Sequence, residues 1–215
     1  MTVALVTSIY GDYDTLVDPP EQEGVDEYIA VVDRHHDGCS RWTQLVEPRA
    51  HLHPRMAAKV AKCRPDLYTD ADVTVWMDGG ARLADEQSIK WAVGHGGVIA
   101  QFRHPERDDV SAEADASYPL RKYEGQRVVE QAAHYKAAGL PDHWGLWACG
   151  LIVRHTQELG HRFGNYWLAE QLRWSWQDQI SEPYLLWRNM LRPVPLDGSL
   201  WSNPCIRFTG HVSEL

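Results

Sequence analysis

The sequence predicts an α/β fold in a single domain: a mixed, mostly parallel sheet flanked by helices. Three observations point there. Short apolar runs rich in Val, Ile and aromatic residues alternate with helical patterns along the chain. Several of those runs end in a polar residue, and in open α/β sheets the carboxyl ends of the strands are where ligands bind. The length, 215 residues, suffices for one well-buried core and compels no second one, so the domain is read as residues 1–215.

Residues 4–9 read as a buried strand closed by the turn-forming Y-G-D-Y-D. Residues 27–33 (E-Y-I-A-V-V-D) form a second strand ending in an aspartate, and 42–46 a short third. Pro54 opens a helix, M-A-A-K-V-A-K-C, which Pro65 stops. Residues 73–77 are the next strand, 85–93 a short helix, and 97–103 a strand leading into H-P-E-R. A helix over 124–138 ends at Gly139, a residue suited to the position after a helix end. A strand at 148–153 is followed by an aromatic helix over 157–174 and a last helix over 180–191, with Pro183 in its first turn. The tail, P-C-I-R-F-T-G-H, reads as a short strand and a loop.

Hydrophobic residues at 44% and charged residues at 24% exclude a disordered chain. The net charge of −9 disfavours a broad nucleic-acid face, which needs clustered Lys and Arg. Four cysteines without a C-x-x-C pair argue against a zinc ribbon and fit a reduced compartment. The first residues lack a basic leader, and no apolar stretch approaches the roughly 20 residues that cross a bilayer. The expectation is a cytoplasmic protein with no membrane partner. Ten tryptophans place much aromatic surface in a core or on a ligand platform.

Four strand ends carry polar residues: Tyr10 to Asp14, Asp33, Asp78 and His104, which together predict one shared site. Asp78 stands in V-T-V-W-M-D-G-G-A-R-L, where Gly79 and Gly80 let backbone and ligand approach closely. It either meets a metal such as Mn²⁺ or Mg²⁺, which take oxygen ligands, or bonds its own backbone in a turn. Arg55, Lys59 and Lys62, spaced by four and three, share one helical face that meets either a pyrophosphate or solvent. Q-F-R-H-P-E-R sets Arg103, His104 and Arg107 after a strand, with Glu113 downstream, as groups for sugar or acceptor hydroxyls.

In W-S-W-Q-D-Q-I-S-E-P-Y, the indoles of Trp174 and Trp176 suit stacking on sugar C–H surfaces, and the amide of Gln179 suits sugar hydroxyls. Asp178 in the same stretch is either a functional carboxylate or the cap of the last helix. His211 in F-T-G-H is a metal ligand or a tail residue, while H-L-H-P and R-H-H lack the further ligands of a zinc site. P-loop, G-x-G-x-x-G and G-x-S-x-G motifs are missing, which argues against dinucleotide oxidoreductases and nucleophilic hydrolases.

In order along the chain come T-S-I-Y-G-D-Y-D, the Lys59 helix, V-W-M-D-G-G-A-R-L and F-R-H-P-E-R with Glu113. Gln131 and Tyr135 before G-L-P follow, and then Q-D-Q-I-S-E-P-Y. Over residues 6–184 this series resembles the glycosyltransferase-like family whose plant members are linked to cell-wall and mucilage polysaccharide synthesis. That family is similar to nucleotide-sugar transferases of the GT-A, Rossmann-like fold. The resemblance implies transfer of a hexose from a nucleoside diphosphate sugar, UDP-sugar foremost, to an acceptor hydroxyl with help from Mn²⁺ or Mg²⁺. It implies Thr7, Tyr10, Asp33, Lys59, Asp78, Gly79 and Gly80 around the donor nucleotide. Arg103, Arg107, Gln131, Tyr135, Trp176 and Gln179 would lie around the substrate, Asp178, Glu113 and His104 would be catalytic, and Asp78 and His211 would ligate the metal. Asp178 as the base would mean inversion.

GT-A enzymes usually carry Asp-x-Asp at a strand end; here the triplet is Asp78-Gly79-Gly80, without the second carboxylate. Asp70-Ala71-Asp72 spells that motif but precedes its strand, at the wrong end. Two readings compete with the transferase: a metal-dependent hydrolase using water, and a sugar- or nucleotide-binding module without turnover. The acceptor would be a carbohydrate, a protein or, least in keeping with the acidic charge, a modified DNA base. Lack of an anchor suits a bacterial or phage enzyme.

Overall fold

The computed structural model describes residues 1–208. In chain order its elements are β1 (Val3–Ile9), β2 (Glu27–Val32), β3 (Thr43–Val46), α1 (Pro54–Cys63), β4 (Val73–Met77), β5 (Ala81–Leu83) and α2 (Ser88–Val93). Then come β6 (Ile99–Arg103), α3 (Val110–Ser117), α4 (Val128–Ala137), β7 (Trp147–His155), α5 (Thr156–Arg173), α6 (Asp178–Arg188), β8 (Val194–Pro195) and β9 (Ile206–Phe208). Seven strands form one sheet in the order β3-β2-β1-β4-β7-β6-β8, and β5 pairs with β9 in a small antiparallel ribbon. Within the large sheet only β7 runs against the rest, so the sheet is mixed and mostly parallel, as the sequence predicts.

Strands β1 and β4 are buried along their whole length because both faces are covered, which is why they read as continuous apolar runs rather than alternating ones. The side-chain period of two divides them between two cores. Ala4, Val6, Trp76 and Ile152 pack with α1, α4, α5 and α6; Leu5, Val75 and Val153 pack on the opposite face with Ile89 and Ala92 of α2 and with Trp42. Helix α5 lies so close to the end of α1 that a Cβ on Gly164 would stand 2.1 Å from the Cys63 carbonyl oxygen. The reversed β7 brings Gly150 beside the end of β4, where its carbonyl accepts the Asp78 N–H at 2.9 Å.

Several boundaries differ from the sequence expectation. Helix α3 is new; its V-S-A-E-A-D-A-S has little amphipathic contrast, and its one signal is Asp109, whose side chain caps the Ser111 N–H at 2.8 Å. Helix α4 starts at Val128 because Arg121–Tyr123 forms a separate 3₁₀ turn. Helix α6 starts at Asp178, so Pro183 sits in its second turn and not its first. Gly160, with φ of 70°, breaks α5 after its opening turn. The four cysteines are free, and no helix among the described residues is long and apolar enough to cross a membrane.

Candidate active site

The carboxyl ends of β1, β4 and β6 open into a cavity of about 370 Å³, a volume within the usual range for small-molecule sites. Tyr10, Tyr13 and Asp14 border it after β1, Asp78 and Gly79 after β4, and His104 and Arg107 after β6. Helix α1 adds Arg55, Lys59 and Lys62, and the start of α6 adds Trp176 to Gln179. Leu200, Trp201 and Phe208 form the remaining wall. A Cβ on Gly79 would lie 2.5 Å from Ile9 Cδ1 and 2.9 Å from Asp14 Oδ2, so only glycine lets the turn after β4 pack this closely on the end of β1.

One wall carries four alternating charges. Lys59 Nζ and Lys62 Nζ each lie 2.5 Å from Asp178 Oδ2, and Lys62 Nζ lies 3.1 Å from Asp78 Oδ1. The indole N–H of Trp76 donates to the same Asp78 oxygen at 2.6 Å, and its ring centroid is 5.4 Å from the Lys62 ammonium. Lys62 is 1% exposed. Burial works against its charge, but Asp178 and Asp78 outweigh burial and hold its proton affinity above the ordinary lysine value. Burial likewise opposes the charge of Asp178, and Lys59 and Lys62 hold its carboxyl well below the usual carboxylate range.

This geometry decides three alternatives that the sequence leaves open. The lysine face of α1 is turned inward and is not a solvated surface. Asp178 is the first residue of α6 and serves the lysines, while the capping position falls to Gln177, whose side chain makes no cap. After β4 a turn does form, closed by the Ala81 N–H on the Asp78 carbonyl at 2.9 Å, but the Asp78 carboxylate points to Trp76 and Lys62.

A second polar group centres on Glu113 of α3, which is 3% exposed. Arg107 Nε donates to Glu113 Oε2 at 2.6 Å, Gln177 Nε2 donates to Oε1 at 2.7 Å, and His104 Nε2 lies 3.5 Å from Oε2. His104 Nδ1 accepts the backbone N–H groups of Glu106 and Arg107 at 3.2 and 3.0 Å, while its Nε2 faces both Glu113 Oε2 at 3.5 Å and Arg107 Nη2 at 3.3 Å. Burial lowers the proton affinity of the ring. Both ring nitrogens of His104 are thus engaged, and the ring packs against Glu113 and Arg107 at the cavity edge.

Beneath the floor, where Cys149 and Gly150 line the cavity, Glu182 of α6 is fully buried. Its Oε2 accepts from Gln101 Nε2 and from the Cys149 thiol, both at 3.0 Å. Burial pushes its carboxyl up to about 7. The sequence reading passes over Glu182 and Gln177. The spacing Asp178-x-x-x-Glu182, which sets both carboxylates on one face of α6, was the available signal for the first.

Of the residues singled out from sequence, the cavity gathers Tyr10, Lys59, Asp78, Gly79, His104, Arg107, Glu113, Trp176, Asp178 and Gln179. Others lie elsewhere. The Thr7 hydroxyl donates to the Met77 carbonyl between strands at 2.8 Å, and Asp33 accepts the Gly11 N–H at 2.8 Å. Gln131 donates to the Tyr135 hydroxyl at 2.9 Å, which donates to Glu170 at 2.7 Å within the helical layer. Arg103 lies over the Trp147 ring, and Trp174 lies between Arg127 and Arg173. Gly80 follows Gly79 in the turn but does not line the cavity, and His211 falls outside the described residues.

Among the described residues, no three His, Cys, Asp or Glu side chains converge as a metal site. Asp78 already holds Trp76 and Lys62 on one oxygen. A divalent ion on that carboxylate, about 4 Å from the ammonium, would be repelled by it by about 8 kcal/mol at an effective dielectric of about 20, which cancels about half of the attraction that a single carboxylate supplies at contact. With Lys62 in place, these residues do not fit Mn²⁺ or Mg²⁺.

Comparison with known families matches the TOD1/MUCI70, glycosyltransferase-like domain to residues 30–200, a span that includes α1, β4, α3 and α6. No curated protein matches the chain.

Proposed function

The chain belongs to the TOD1/MUCI70 glycosyltransferase-like family, and from that membership we propose that it moves a hexosyl group from a nucleoside diphosphate sugar, UDP-sugar foremost, to an acceptor hydroxyl on a carbohydrate or protein. The observation that most supports this reading is the series Lys59–Asp178–Lys62–Asp78 set into one cavity wall at the carboxyl edge of the sheet. Transfer forms a bond between the acceptor oxygen and the anomeric carbon. The bond from that carbon to the diphosphate oxygen breaks, and its electron pair leaves with the diphosphate. Lys59 offsets the charge that grows there, in a site held ready before the reaction.

Asp178 takes the acceptor proton, which fits inversion. Its two ammoniums keep it a weak base, and the turn of Lys59 to the phosphate removes one of them and strengthens it. Glu113, fixed by Arg107 and Gln177, accepts from sugar hydroxyls, and the indole of Trp176 offers a face to sugar C–H groups. Tyr10 and Tyr13 border the nucleotide.

The test is a panel of UDP-, GDP- and ADP-sugars, read by thermal shift and by release of free nucleoside diphosphate with and without acceptor hydroxyls. One donor should raise the melting temperature, because a ligand that binds only the folded state stabilises it by mass action. Asp178→Asn should keep the fold and donor binding while release falls about 100-fold or more, the usual scale of a lost general base. Absence of binding to any sugar nucleotide would remove the reading. Binding without release would instead indicate a binding module, and cleavage of a substrate lacking a nucleotide would indicate the hydrolase.

A further inference from the structure

We propose that Lys62, and not a divalent cation, is the permanent counter-ion of the Asp78–Asp178 pair, so that the site takes a nucleoside diphosphate through Lys59 and Arg55 without a metal. This inference rests on the transferase reading and specifies how that site meets its charged ligand.

The placement of Lys62 supports it. An ammonium taken out of water is costly to bury and persists only where partners compensate it. Lys62 has two carboxylates, at 2.5 and 3.1 Å, and is 1% exposed. It borders the cavity beside Asp78 and Asp178 but is almost wholly covered, and there it neutralises both for an anion approaching from the cavity. Lys59 is different. Its side chain is 15% exposed, it lines the cavity, and its partner Asp178 shares the same oxygen with Lys62. A diphosphate can therefore draw Lys59 away while Asp178 keeps a cation. Arg55, one turn earlier on the same face, also lines the cavity.

The sequence departs from Asp-x-Asp in the same sense. The position that would hold the second carboxylate is Gly80, and the side chain reaching the remaining one is a lysine. The strand end carries one carboxylate and one fixed cation stands beside it, which leaves the local charge balanced without an added ion.

The two ways of holding a diphosphate predict opposite results for the same variants. Binding of UDP, GDP and ADP to the full chain would be measured by calorimetry in EDTA and in MnCl₂. The wild type should bind one of them with affinities within twofold in the two buffers. Lys62→Met, which leaves Asp78 without its cation and Asp178 with Lys59 alone, should lose at least tenfold in EDTA and recover with Mn²⁺. Asp78→Asn, which removes a negative charge without disturbing volume, should bind in EDTA as tightly as the wild type or more so.

Wild-type binding that requires Mn²⁺ would overturn the inference and leave the transferase reading intact. So would a folded Lys62→Met variant that binds normally in EDTA. Should Lys62→Met fail to fold, Asp78→Asn decides, and a tenfold loss there overturns the inference. Failure of every nucleotide in both buffers would remove the inference and the transferase reading together.

Discussion

Replacing Glu182 by Gln should make the protein more stable at neutral and alkaline pH, and by an amount that grows with pH. Glu182 is completely buried under the cavity floor, with two donors on Oε2 and no partner on Oε1; the facing Gln101 Oε1 is also without a partner. A protonated acid can donate where a carboxylate cannot, so this pocket favours the neutral form. Burial accordingly moves the carboxyl from its ordinary 4.5 to about 7.

The sign follows from linkage. Below pH 4.5 folded and unfolded chains both hold the proton, and the group costs nothing. Between 4.5 and 7 the unfolded chain releases it while the folded chain keeps it, so stability falls as pH rises, and the full loss is present above 7. At roughly 1.4 kcal/mol for each tenfold change in proton affinity, that loss is about 3 kcal/mol. A glutamine fills the same volume, accepts from Gln101 and Cys149, and can donate to Gln101. Urea unfolding followed by tryptophan fluorescence, at pH 5 and pH 8.5, should show the stability of Glu182→Gln relative to wild type rising by about 2–3 kcal/mol between the two. Other titrating groups cancel in that difference. Parallel pH profiles for the two proteins would refute the assignment of a neutral, buried acid.

Three further outcomes follow from packing and placement. Gly164→Ala should cost about 3 kcal/mol in urea unfolding, because its methyl would meet the Cys63 carbonyl and not a side chain that can rotate away. Gly79→Ala should cost about 1–2 kcal/mol and weaken nucleoside diphosphate binding measured by calorimetry, since its methyl must shift Ile9 and Asp14, which both line the cavity; unchanged binding would mean this part of the wall does not meet the ligand. Tyr135→Phe should lower stability by about 1 kcal/mol through lost hydrogen bonds to Gln131 and Glu170 while binding stays the same, and a selective loss of binding would return Tyr135 to the site.

Much of the fold was legible because local patterns carried it. The 73–77 run is buried over its full length and the 29–32 stretch likewise, as doubly covered strands are, and Pro54 and Pro65 delimit α1 through the geometry of proline itself. Helix α3 was not legible, because small residues leave no moment to read; nor was β5, three residues paired with a strand more than 120 positions away. The site was legible in part. Polar strand ends gathered where the rule for open sheets puts them, yet Thr7 and Asp33, equally polar and equally near strand ends, turned their side chains to the backbone.

By itself the sequence determined the strand–helix alternation, the mostly parallel sheet and the edge of that sheet at which a site would form. These depend on short-range periodicity and on chirality, both of which one chain carries locally. Only the tertiary structure decided what Asp78 and Asp178 do. Their spacing of 100 residues says nothing of the lysine that stands between them, and a carboxylate's role depends on which charges are within a few ångströms once water has been excluded. That distance is a property of the packed fold and cannot be read from any stretch of the chain.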